Sequence, residues 1–142
     1  MSKLYVDSKL GVSPRQLQLI SEFCVYCAEQ LPIEREYKIY VITDRAAHNI
    51  ATTAAYHVGD NICKVYGKNR ALVDILRSIA HEMTHMMQDE KGLITGHVRD
   101  AGGFHEDQAN ARAGELIKLF AKSKKGRKEI YENLKKRIRL LK

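Results

Sequence analysis

The feature that most restricts what this chain can fold into is "RALVDILRSIAHEMTHMMQD", residues 70–89. Its apolar spacing predicts a helix from about 69–70 to 89, stopping before Gly92. With His81 at 0° and ~100° per residue, His85 falls near 40°, and Leu72, Ile79 and Met83 fall near 180°, 160° and 200°. The apolar stripe therefore points away from the histidine pair. Glu82 projects between them, at about 100°. Such a helix needs a core behind it and a cleft in front.

The rest of the chain predicts the elements that build this core. Ser13, Pro14 and Gln16 are a cap, a first-turn proline and a capping-box partner for a helix over 14–31. "EYKIYVIT", 36–43, reads as a strand, and "ATTAAYHV" and "NICKVYG" read as a hairpin about Gly59-Asp60. A helix over 105–121 follows a glycine-bearing loop, and "RKEIYENLKKRIRLLK" has the pattern of a last amphipathic helix. The order α-β-β-β-α-loop-α-α predicts an α+β fold with a small, mainly antiparallel, three-stranded sheet. Its 142 residues suit one domain, expected over 1–121, with a tail at 122–142 docked on it.

Charge separates these two parts. The tail holds ten Lys/Arg against two Asp/Glu, leaving fourteen against fifteen for residues 1–121. The whole basic excess thus sits at the end, where it could contact nucleic acid or another anionic surface. Cys24, Cys27 and Cys63 are an odd set, and no apolar leader or membrane-length run occurs, so a reduced cytoplasmic setting is expected. Cys24 and Cys27 fall on the apolar stripe of the first helix and are expected in the core. His48 and His57 are expected to be ordinary exposed or hairpin residues.

Two histidines at i and i+4 can reach a single metal ion, and zinc (Zn2+) accepts nitrogen, oxygen and thiolate donors. With six His and ten Glu, about 0.017 chance H-E-x-x-H matches are expected, so the motif is suggestive and needs a third ligand. Asp89, His97, Asp100, His105, Glu106 and Asp107 are the candidates. Glu106 shares a helical face with Ala109, Asn110, Ala113, Ile117 and Phe120, a surface small and apolar enough to pack closely on another helix.

"HEMTH…EDQANARAGELI" resembles the ImmA/IrrE-type metallopeptidases, in which the H-E-x-x-H helix is followed by one beginning E-x-x-A-N-x-x-A-x-x-L-[LI]. Here those positions are Glu106, Ala109, Asn110, Ala113, Leu116 and Ile117. Arg112 stands where the family has an aromatic residue, and Thr84 where glycine is frequent. The resemblance implies a zincin-like gluzincin, with His81, His85 and Glu106 as zinc ligands and Glu82 as catalytic base and acid. It also implies a protein or peptide substrate, such as a regulatory protein. A weaker resemblance, to SprT-like nucleic-acid-associated metalloproteases, would make His105 or His97 the third ligand. A non-catalytic zincin scaffold with a regulatory or binding role is the remaining alternative.

For the peptidase reading, Tyr66, Tyr56, His97 and Arg99 are the candidates to stabilise an oxyanion or touch substrate. "NICKVYG" is expected to be the edge strand that aligns an extended peptide.

Overall fold

The computed structural model describes residues 1–94 and 103–132. Its helices are α1 (Pro14–Gln30), α2 (Leu72–Glu90) and α3 (Phe104–Ser123), and its strands are β1 (Lys3–Val6), β2 (Lys38–Ile42), β3 (Ala54–His57) and β4 (Ile62–Tyr66). The fold is α+β. No helix among the described residues is long and apolar enough to cross a membrane.

The sheet corrects the expected three-stranded antiparallel one. It has four strands in the order β1-β2-β4-β3, with β1, β2 and β4 parallel and only β3 antiparallel to its neighbour. β1 has only four residues, too few to reveal a period. It is held by Lys3 N–H on Tyr37 C=O and Asp7 N–H on Val41 C=O, both 2.9 Å. The β3–β4 hairpin is present, but β4 inserts between β2 and β3. "NICKVYG" is therefore an inner strand, and the edge beside α2 is β3.

α1 begins as its sequence implies, with both capping-box bonds between Ser13 and Gln16 in place. The helices cover one face of the sheet. Leu19, Phe23, Cys27, Leu76, Met83 and Phe120 are completely or almost completely buried there, against Ile39, Val41, Cys63 and Val65. Phe120 meets Phe23 and Tyr26 edge-on at 5.1 and 5.5 Å. All three cysteines are buried and unpaired.

α3 stops where "KSKKG" was expected to interrupt it. Gly126 takes a φ of 91°, and a Cβ there would come within 2.9 Å of the Arg15 guanidinium. A short 3-10 helix, Arg127–Tyr131, then packs back on the core through fully buried Ile130. Arg127 lies 4.2 Å over the Phe120 ring and pairs with Glu22 at 3.1 Å. The expected last amphipathic helix over 127–142 thus begins as this 3-10 turn, and its part beyond Glu132 lies outside the described residues.

Truncating Phe120 to Ala should cost about 3–5 kcal/mol in urea unfolding. Ser13→Ala, which removes only the cap, should cost about 1 kcal/mol.

Candidate metal centre

α2 is packed between the sheet and α3, so several of its polar side chains lie in the interior. Glu82, Thr84, His85 and Gln88 are all buried. Each needs a partner or a function, because an unpaired buried polar group costs about 1–3 kcal/mol. Thr84 satisfies itself, its hydroxyl donating to Ala80 C=O at 2.8 Å.

His81 and His85 converge on one carboxylate. Glu106, in the first turn of α3, places Oε1 2.6 Å from His81 Nε2 and Oε2 3.1 Å from His85 Nε2. One donor atom from each of the three residues lies within 4.8 Å of the others. The small residues Ala109 and Ala113, both buried, allow α3 to approach α2 this closely.

The hydrogen bonds behind His85 assign its protons. Gln88 Nε2 lies 3.0 Å from His105 C=O, which can only accept, and 2.8 Å from Gln108 Oε1. Gln88 therefore turns its amide oxygen to His85 Nδ1, at 2.8 Å, and Nδ1–H is the donor. In the neutral imidazole this leaves a lone pair on Nε2, facing a carboxylate oxygen of Glu106. Two such atoms at 3.1 Å require a shared proton or a metal ion between them. A ring nitrogen fixed through its opposite nitrogen is also how proteins orient metal-binding histidines.

His81 is held below its ordinary value, mainly by burial, with Glu106 opposing the shift. It is thus inclined to the neutral state that binds metal. Glu82 is pushed up to about 8 by burial and, secondarily, by the Glu106 charge. Its Oε2 is buried with no hydrogen-bond partner among the described residues. The donor set and this orphaned oxygen fit a zinc ion held by His81, His85 and Glu106, with Glu82 free to act beside it.

The three ligand candidates and Glu82 line a cleft of about 990 Å³ whose other wall is residues 52–58. Tyr66 N–H donates to Thr53 C=O, so alternation along the antiparallel pair turns the main-chain groups of Ala54 and Tyr56 outward. Thr52 already donates to Ala54 C=O at 3.0 Å. His57 ends β3 at the rim, and His48 lies in the turn after β2.

The other candidates are placed differently. Tyr56 borders the cleft, but its hydroxyl is engaged by Asp89 Oδ2 at 2.5 Å and by Asn61 Oδ1 at 3.1 Å. Burial and the Asp89 hydrogen bond raise it well above the usual phenol range. Tyr66 is on the opposite side of the sheet, beneath the Arg45 guanidinium at 4.5 Å. His105 is outside the donor cluster, with its carbonyl on Gln88. Asp89 secures the hairpin by also accepting Gly59 N–H at 2.8 Å. His97, Asp100 and Arg99 lie outside the described residues.

Gln88 was not singled out by sequence, although its position three residues after His85 is a helical neighbour spacing that could have raised it. Asn110, near enough to His81 to oppose its downward shift, and Arg77 and Ser78, one turn before His81, also line the cleft. Arg112, the departure within α3, pairs with Glu115 and donates to Gln30 C=O, tying α3 to the end of α1.

Compared with family models, curated proteins and solved structures, the chain matches none.

For a metal ion taken up by His81, His85 and Glu106, Gln88→Ala should weaken the affinity about 10–100-fold in chelator competition, because His85 loses the acceptor that fixes its tautomer. The Glu82 shift has a separate consequence in chelator-treated protein. A carboxyl raised from its unfolded value of ~4.3 to about 8 makes the folded state bind more protons, so stability falls as pH rises across that interval. Glu82→Gln should remove this fall and be the more stable protein at pH 8, by on the order of a few kcal/mol, with the advantage gone below pH ~4. His81, whose shift acts in the opposite sense below about 6.5, is common to both proteins and cancels in the comparison.

Proposed function

We propose that this chain is a zinc-dependent endopeptidase that hydrolyses a peptide bond in a protein or peptide bound along the outer edge of β3. The observation that carries this reading is the pair of unlike carboxylates in one cleft. Glu106 is engaged by both histidines, while Glu82 is buried beside them with an oxygen that has no partner among the described residues.

When bound at His81, His85 and Glu106, zinc would supply Lewis acidity for the scissile carbonyl and lower the pKa of the attacking water. Glu82 takes the proton of that water and returns it to the leaving amine. Its burial keeps the carboxylate poorly solvated and correspondingly basic. Gln88 holds His85 in one tautomer, and Asn110 supports His81. The outward main-chain groups of β3 offer an extended peptide a strand to pair with, at the wall facing these residues. The ImmA/IrrE resemblance agrees with this arrangement and suggests a regulatory protein as substrate. A histidine as third ligand, as in SprT-like enzymes, is less favoured because His105 lies outside the donor cluster. Neither Tyr56, with its hydroxyl held by Asp89, nor Tyr66, across the sheet, is proposed to stabilise the oxyanion.

Elemental mass spectrometry and a peptide-cleavage assay test the proposal together. Wild type should carry about one zinc per chain, matching a three-ligand site. Glu106→Ala should lose most of it. Glu82→Gln should keep the metal while kcat falls about 10²–10⁴-fold. A chain that takes up no zinc even after supplementation would sink the reading. Zinc bound with undiminished turnover in Glu82→Gln would remove Glu82 from the chemistry.

A further inference from the structure

The sheet has a second face, turned away from the helices. The strand register places Lys3 and Tyr5 of β1, Lys38 and Tyr40 of β2 and Lys64 of β4 on it, since Leu4, Ile39 and Cys63 at the intervening positions point into the core. The remaining outward strand positions are Ile42, Ile62, Tyr66, Ala55 and His57, so no carboxylate occurs among them. Tyr5 and Tyr40 stack at 4.8 Å with their planes 13° apart, and Tyr5 is 41% exposed. Lys3 and Lys38 face each other two residues before this pair, about 7 Å along the strands.

The basic surface continues past the strand ends. Lys9, Arg45 and Lys68 border a second cavity of about 630 Å³, beyond the carboxyl ends of the three parallel strands. Among the described residues none of these three, nor Lys3 or Lys38, has a carboxylate within ion-pair distance. Two acids stand at this rim among the described residues: Asp44 accepts the main-chain N–H of Ala47, and Asp7 accepts the Lys9 N–H and the Thr43 hydroxyl. The near-neutral total of residues 1–121 therefore conceals a face whose outward strand positions carry lysines and no carboxylate.

We propose that this face binds single-stranded nucleic acid, with bases stacked on the Tyr5–Tyr40 pair and phosphates drawn to the lysines around it. An exposed aromatic plane flanked by cations recognises unpaired bases, whose flat faces are free. A duplex hides those faces within its own stack, and an acidic peptide would leave the tyrosine plane unused. The site is independent of the zinc cleft, which lies beyond the opposite edge strand and on the helix side.

The test is fluorescence anisotropy of the 142-residue chain with a labelled 20-nucleotide oligo-dT. A duplex of equal length and anionic phospholipid vesicles serve as the competing probes. The single strand should bind more tightly than either. Tyr5→Ala with Tyr40→Ala should weaken it tenfold or more, while Tyr5→Phe with Tyr40→Phe, which keeps both rings, should bind as wild type. Lys3→Ala with Lys38→Ala, at exposed positions that leave the core intact, should flatten the log–log salt dependence by about 0.7 per lysine. No binding of the oligonucleotide would overturn the proposal. So would preference for duplex or vesicles, or affinity and salt slope unchanged in the lysine variant. Binding unchanged by loss of both rings would do the same, assigning retention to charge elsewhere, such as residues 133–142.

Discussion

The arrangement depends on one constraint: a helix buried on two sides carries polar residues that must be satisfied without water. While His81 keeps 20% of its side chain exposed, Glu82, His85 and Gln88 are buried between the sheet and α3 and must take their partners from within the protein. α3 supplies them. Glu106 meets both histidines, while the carbonyl of His105 and the amide of Gln108 fix Gln88, which in turn fixes His85. Close approach of the two helices is thus required both by packing and by polar pairing. Ala109 and Ala113 on α3 make it sterically feasible. Among the described residues Glu82 Oε2 is left without a partner.

Much of this was legible in the sequence because it was written in helical periods. The wheel about His81 placed the histidine pair opposite the apolar stripe, and the face shared by Glu106, Ala109 and Ala113 pointed to a helix that could dock there. What the wheel misjudged was depth. It read the histidine side as facing a cleft but carried no measure of how deep that cleft is, and both Glu82 and His85 are buried. A single-helix projection contains no information about what packs on either side. For the same reason it gave Gln88 no role, since its importance comes from a carbonyl and an amide on another element.

The sheet was read less well, for a different physical reason. β1 is four residues long, and a period of two cannot establish itself over that length. Strand order is also a non-local property. β2, β3 and β4 follow one another along the chain, yet β4 pairs with β2 and forces β3 to the edge. Both hairpin strands were recognised, but which one borders the cleft could not be read from their composition. Tyr66 and Tyr56, ten residues apart on that hairpin, consequently sit on opposite sides of the sheet.

Asp89 gives this edge its particular character. Its carboxylate holds both the Tyr56 hydroxyl and the Gly59 amide, and it belongs to the same helix as His81 and His85. The border strand and the histidines are therefore referenced to one rigid rod rather than to separate parts of the molecule. Thermal displacements of α2 carry both walls of the cleft together, so its width is insulated from the helix's own motion. Among the described residues, what remains to change the gap is deformation of the hairpin or movement of α3.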